Sequence, residues 1–436
     1  MAIGSTGNST QVSAASGGGS GYRGAFAMVT TLFFIWGFLT SLNDILIPHL
    51  KAIFDLNYAE VMLIQFVFFV AYAVFGYPSG RIVEYIGYKR MMVAGLLIMA
   101  VGAILFIPAA NLPSFPLFLL ALIFLGAGMA SLQVAANPYV TVLGPPETAS
   151  SRLNLSQAFN SLGTTIGPPL GGLLILAGAE KLVADVHTLS PAALHAYRLQ
   201  QAATVKTPYI IFTVVLILLA LAIGLYRFPH IAGATKENGA ENEPRVSIWH
   251  YRHVMLGAVG IFVYVGAEVA IGSFLINYFG GKDIGGLTAE TAALYLPVYW
   301  GGAMVGRFIG SAVLQKMKTD KLLAINATVA MVLVIISMLS FGHVAMWSIL
   351  LVGLFNSIMF PSIFTLGVAE MGPLTGEASG LLVTAIVGGA IIPELQGILA
   401  DHIGLHHAFI LPVLCYIFII YYGLKGSRVV KPAQAL

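Results

Sequence analysis

The sequence predicts an all-α membrane protein: twelve transmembrane helices in two six-helix halves. Three observations lead there. Of 436 residues, 58% are hydrophobic and only 9% are charged, and a water-facing surface of this size needs far more charge. Apolar runs of spanning length, roughly 20 residues each, recur twelve times along the chain. Finally, short patterns in the first six runs return in the last six at a nearly constant offset.

The runs fall at about 25–48, 60–83, 89–108, 115–138, 154–178 and 207–228, then at about 253–279, 290–314, 321–341, 344–370, 379–400 and 406–424. They are numbered here as spans 1 to 12. Residues 1–24, rich in Ser, Gly and Thr, read as a disordered N-terminal tail. That tail has no cationic region before an apolar core, so no signal peptide is expected. The N-terminal half occupies 25–228 and the C-terminal half 250–424. Between them 229–249 reads as a cytoplasmic linker, carrying Lys236, Glu237, Glu241 and Glu243, and 425–436 as a cytoplasmic tail. The other long loop, Glu180–Lys206, reads as solvated because of Asp185, His187 and Arg198.

Charge sets the orientation. With both termini inside, only Lys51, Lys181, Arg198, Lys206 and Lys282 of the 21 Lys and Arg fall outside, which obeys the positive-inside rule. The net charge of +3 therefore reflects topology and gives no reason to expect nucleic acid. Cys415 is the only cysteine, so disulfides and thiolate metal sites are excluded. The histidines His402, His406 and His407 read as an outer solvated loop rather than a metal site.

The repeat is carried by three pairs. Gly80-Arg81 matches Gly306-Arg307 at an offset of 226, Asn137-Pro138 matches Phe360-Pro361 at 223, and Pro168-x-Leu-x-Gly172 matches Pro393-x-Leu-x-Gly397 at 225. Parallel six-helix repeats with a midplane site between them are the architecture of the major facilitator superfamily. The run Gly80-Arg81-Ile-Val-Glu84-Tyr-Ile-Gly87-Tyr-Lys89-Arg90 resembles that superfamily's signature between spans 2 and 3. Here Gly80 would let helices approach closely, and Glu84 would pair with a cation across the halves. Its expected role is gating.

A narrower resemblance covers nearly the whole chain. Trp36-Gly-Phe-Leu-Thr-Ser-Leu-Asn43-Asp44-Ile-Leu-Ile-Pro48, Leu132-Gln133-Val-Ala-Ala-Asn137-Pro138-Tyr139, Ser151-Arg152-Leu-Asn-Leu-Ser-Gln157-Ala-Phe-Asn160-Ser-Leu-Gly163 and Gly353-Leu-Phe-Asn356-Ser-Ile-Met-Phe-Pro361 resemble the L-fucose:proton symporter family, its glucose/galactose branch above all. The resemblance implies a bacterial inner-membrane sugar symporter and a coupling role for Asp44.

The residues support that reading independently. Trp36, Thr40 and Asp44 recur at i, i+4 and i+8 and share one helix face. A carboxylate inside a span costs about 3 kcal/mol on insertion scales and is kept only where it faces the interior or has a partner. Out of bulk water, such a group is suited to carrying a proton. Gln133 and Asn137 share a face of span 4, and Gln157 and Asn160 a face of span 5. Amides both donate and accept, which matches sugar hydroxyls; Trp36, Asn43 and Asn356 complete the expected sugar set. Glu268, 224 residues after Asp44, is a second candidate for cation coupling, and Glu394 beside Pro393 is an acid of unassigned role. Fucose members typically carry a glutamate where this chain has Gln133, which favours the glucose/galactose branch. The aromatics Phe66, Phe68, Phe69 and Tyr72 read as packing or lipid contacts.

The expected function is import of a hexose-type sugar with a co-transported proton or sodium ion, by alternating access. No other cofactor is expected, and the chain is expected to act as a monomer in the bilayer. Uncoupled facilitation, or carriage of fucose or an N-acetylhexosamine, are the alternatives. No phosphate-cradling glycine loop is present, no convergent reactive set points to an enzyme, and the short tail leaves no space for a sensor domain.

Overall fold

The computed structural model describes residues 20–54, 56, 58–171, 189–229 and 247–430. Among the described residues every regular element is helical. Span 1 is Ser20–Phe54. Spans 2 and 3 form one rod, Tyr58–Asn111, broken at Gly87; span 4 is Phe115–Val142, span 5 Ala149–Gly171 and span 6 Lys206–Leu225. In the second half, span 7 is Arg252–Gly280, span 8 Leu296–Val313 and span 9 Thr319–Leu339. Span 10 comes in two pieces, Gly342–Asn356 and Met359–Gly367. Span 11 runs through Thr375–Thr384 and Gly388–Ile403, and span 12 through Leu405–Ala408 and Ile410–Tyr421.

Nine stretches among the described residues are long and apolar enough to cross a membrane. The 49-residue stretch Leu63–Asn111 is two spans divided at Gly87. Spans 5 and 8 fall outside the nine, span 5 because Ser, Asn, Gln and Thr crowd it. Gly87 has φ 81° and ψ 161°, a backbone conformation open essentially to glycine alone. It turns the chain between two spans without a loop.

Some boundaries differ from expectation. The first helix starts at Ser20, within the stretch read as tail, where Gly24 lies close against Tyr226. The loop read as solvated holds a helix, Pro191–Ala203. Ser190 caps it by accepting from the Ala193 N–H at 3.3 Å, and proline stands in its first turn. His406, read as solvated, stacks on the Phe341 ring with centroids 5.3 Å apart and meets the Tyr278 hydroxyl through Nδ1 at 3.1 Å. Residues 1–19 of the tail, 230–246 of the linker and 431–436 of the C-terminal tail lie outside the described residues.

Two seams join the halves, span 2 against span 11 and span 5 against span 8. At the first, Gly76-x-x-x-Gly80 crosses Gly376-x-x-x-Gly380. A Cβ on Gly80 would stand 2.6 Å from the Gly376 carbonyl and 2.8 Å from Gly380 Cα, so only glycine lets the backbones meet. Around this crossing, buried Glu377 accepts from the Tyr77 hydroxyl and from Arg81 Nε at 3.3 Å. Ser379 Oγ donates to the Val134 carbonyl of span 4 at 2.9 Å.

At the second seam, Ser151 Oγ donates to the Ser311 carbonyl at 2.7 Å and Ser311 Oγ to the Ser151 carbonyl at 3.2 Å. Asn154 Nδ2 donates to the Arg307 carbonyl at 2.7 Å. These contacts gather at the end that carries the described chain ends and the Gly87 turn. That end is sealed.

Gly87→Ala is expected to cost about 1–3 kcal/mol, because alanine is strained at this φ and ψ. Gly301→Ala, in a helix with nothing within 4 Å of the added carbon, should be neutral or slightly stabilising. Thermal melting of the purified protein in detergent, comparing the two variants, checks the contrast.

Candidate functional site

The N-terminal half brings spans 1, 2, 4 and 5 together around the expected amides. Gln133, 7% exposed, donates from Nε2 to the Tyr72 hydroxyl at 3.0 Å. Thr40 lies beside span 4 one turn away, its hydroxyl on the Trp36 carbonyl at 2.8 Å and near the Met129 sulfur at 3.5 Å. Trp36 is buried and packs on Phe33 with ring centroids 4.1 Å apart. Asn160 donates to the Phe33 carbonyl at 3.0 Å, which leaves its amide oxygen for another partner. Gln157, 6% exposed, sits one turn before Ser161 on the same face. Trp36 and Asn160 thus both meet Phe33 of span 1, while Gln133 lies one turn from the contact between Thr40 and Met129. The side chains of Asn43 and Asp44 lie outside the described residues.

Asn137 is fully buried one turn nearer the sealed end, and neither amide atom has a hydrogen-bond partner among the described residues.

The C-terminal half builds a different cluster. Glu268 accepts from the Tyr264 hydroxyl at 2.8 Å and stands 3.9 Å from Arg307 Nη2. Asn356 is fully buried, and both ends of its amide are engaged: Nδ2 donates to Tyr299 at 3.0 Å and Oδ1 accepts from Tyr416 at 2.7 Å. Expected as a sugar contact, Asn356 instead ties spans 8, 10 and 12 together. The reason is the tyrosine content of those spans, whose buried hydroxyls need partners.

The residues expected to gate lie as a strip along the sealed end. Gly80 and Glu84 face Gly376, Arg81 reaches Glu377, Gly87 makes the turn, Lys89 is half-buried and Arg90 exposed. Glu394 is exposed in span 11.

Sequence reasoning missed Tyr72, Tyr77, Ser161, Arg307 and Glu377. Tyr72 was read as packing, yet its hydroxyl serves Gln133. Phe69, read likewise, packs on Gly389 across the seam, whereas Phe66 is 53% exposed. A signal for Glu377 did exist: an acid inside a Gly-x-x-x-Gly pair matching the one at Gly76 and Gly80.

A bundle of two helical halves, sealed together at one end around a polar midplane, defines a membrane carrier. The chain belongs to the Major Facilitator Superfamily, whose family model matches residues 28–393. It is 49% identical over 407 residues to a glucose/galactose transporter of Brucella abortus biovar 1 (strain 9-941), covering 93% of this chain and 95% of that one. It is 36% identical to the L-fucose-proton symporter of Escherichia coli (strain K12), over 92% of this chain and 93% of the relative. The crystal structure of the superfamily transporter FucP in the outward conformation matches with a TM-score of 0.86 and 35% identity, over 94% of this chain and all of that one. These relatives are transporters and not enzymes.

Asn356→Leu is expected to destabilise the protein by about 1–3 kcal/mol, since it strands the buried Tyr416 hydroxyl. Thermal melting without sugar should fall clearly, while the dissociation constant for sugar should stay within about twofold.

Proposed function

We propose that this chain carries a hexose of the glucose/galactose type together with a proton, by alternating access. The observation that carries the reading is that Gln133 and Gln157 are buried neutral amides on spans 4 and 5, and that Asn160 reaches Phe33 beside Trp36, in a bundle sealed at one end. Amides can both donate to and accept from sugar hydroxyls without placing net charge in the membrane. The 49% identical relative named as a glucose/galactose transporter supports the sugar class. The relative named as a proton symporter supports the proton over sodium.

In this reading Asp44 carries the proton, and Asn43 belongs to the sugar set. Gln133 takes no proton and serves the sugar, held in orientation by Tyr72. Asn137 meets sugar only once the sealed end opens, because nothing reaches it while that end is shut. Glu268 takes part as a fixed charge, with Arg307 beside it. Gly80, Arg81, Glu84, Gly87, Lys89 and Arg90 gate the sealed end. That end faces the cytoplasm of a bacterial inner membrane, in keeping with the cations at its connections, among them Lys89, Arg90, Arg152, Lys316, Lys318 and Lys321. Site and seam are built within one chain, so the monomer is the working unit.

Uptake into proteoliposomes, with a panel of labelled sugars and separate pH and sodium gradients, tests the reading. Glucose and galactose should accumulate under a pH gradient. Accumulation under sodium alone, or of fucose alone, would overturn it.

Two variants sharpen the test. Asp44→Asn keeps shape and hydrogen bonding but loses the transferable charge, so accumulation should disappear while sugar exchange across the membrane persists. Gln157→Ala should weaken sugar binding roughly ten- to hundredfold, about 1–3 kcal/mol for a lost buried hydrogen-bond set, with sugar-free melting unchanged. Loss of melting temperature with binding intact would move the sugar site elsewhere.

A further inference from the structure

Arg307 of span 8 is held by groups from three other spans. Its Nε donates to the Ser357 carbonyl of span 10 at 3.2 Å. Its Nη1 donates to the Ser161 hydroxyl of span 5, in the opposite half. Its Nη2 stands 3.9 Å from Glu268 of span 7, and both side chains are nearly buried, 13% and 12% exposed. The backbone at the same residue is held too, since the Arg307 carbonyl accepts from Asn154 of span 5 at 2.7 Å. The Ser357 carbonyl is available because residue 361, four positions on, is proline and has no N–H to give it.

We propose that Arg307 is a positioning residue of the transport cycle: it latches the two halves through Ser161 when the termini end is sealed, and Glu268 is the counterion it keeps when that latch lets go.

The partners divide by half. Ser161 and Asn154 belong to the N-terminal half; Ser357 and Glu268 belong to the C-terminal half. Alternating access requires spans 5 and 8 to part at the sealed end. When they do, Ser161 and Asn154 leave, while Ser357 and Glu268 travel with Arg307. A guanidinium left alone in the membrane interior is strongly disfavoured, and Glu268 prevents that in either state.

The chemistry on the departing side is suited to release. A hydroxyl bonded to a guanidinium is a charge-assisted contact, stronger than the neutral serine contacts along the seam, yet it carries no charge of its own. A carboxylate at 161 would have to be torn from its cation in every cycle. Ser161 follows Asn160 directly and stands one turn after Gln157, so the latch adjoins those two amides. The assignment does not depend on which sugar is carried.

The latch predicts shifts of opposite sign from two substitutions. Ser161→Ala removes the acceptor on the departing half and should move the population toward the state open at the termini end, by about tenfold in the ratio of the two states. Glu268→Gln leaves Arg307 without its travelling counterion, so opening should become harder and the population should move toward the sealed state. Ser161→Thr keeps the hydroxyl and should behave as the parent.

The measurement is the distance distribution between spin labels on Leu112→Cys and Leu339→Cys, exposed positions at the opposite end of the two halves, in the full chain carrying Cys415→Ala. A sealed termini end gives the longer distance. Opposite shifts, with rescue by threonine, sustain the latch. Shifts of the same sign, unshifted distributions, or a lower melting temperature with unchanged distances would overturn it.

Discussion

The interior of a bilayer offers no water to a stray carbonyl or N–H, and that constraint organises this molecule. Helices satisfy their own backbones, so a proline inside a span leaves a carbonyl without its donor. Pro138 frees the carbonyl of Val134, and Ser379 of the opposite half takes it. Pro361, at the repeat-related position, frees the carbonyl of Ser357, and Arg307 takes it. Backbone groups that would be a liability elsewhere thus become docking points, between the halves at Val134 and within the C-terminal half at Ser357, and the helix break at Asn356–Met359 follows from the same cause.

The repeat has kept its skeleton and changed its chemistry. Arg81 and Arg307 occupy matching positions, each after a glycine that permits close approach. Arg81 stands at the rim, its side chain 65% exposed, and pairs with Glu377 across the first seam. Arg307 lies inside, paired within its own half to Glu268. Gly80 brings span 2 against span 11 of the other half, whereas Gly306 brings span 8 against Leu354 and Ser357 of its own half. One ancestral arrangement thus yields an outer clasp and an inner one.

This divergence explains what could be read in advance. Twelve spans and two halves follow from hydropathy and offset, both of them properties of the linear chain. That Gln133 shares a face with Asn137, and Gln157 with Asn160, was legible because helical spacing fixes it. Asn356 was not, since its partners Tyr299 and Tyr416 come from two other spans and the pairing depends on packing between them. Tyr72 was hidden for a related reason: within an aromatic run, nothing along the chain says which ring carries a hydroxyl bound for an amide. Glu377 carried a signal in the matching Gly-x-x-x-Gly stretches, but its partners Tyr77 and Arg81 depend on how those stretches cross.

The energetics of the seam suit a machine that must open. Most of its polar contacts join a serine or amide side chain to a carbonyl, each worth about 1 kcal/mol net and each replaceable by water once the end opens. A carrier needs its two states to differ by only a few kcal/mol, or one of them would be too rare to turn over. Buried ion pairs strung across the seam would break that balance, because separating them leaves charges stranded in a medium that penalises them. The structure places its compensated internal charge, Arg307 with Glu268, within one half, and lets it touch the other half only through a neutral hydroxyl. Arg81 and Glu377 pair across the halves where the cation is already largely in water, so that parting them strands no buried cation. Where each charge lies relative to the seam is what allows a tightly packed end to come apart and close again.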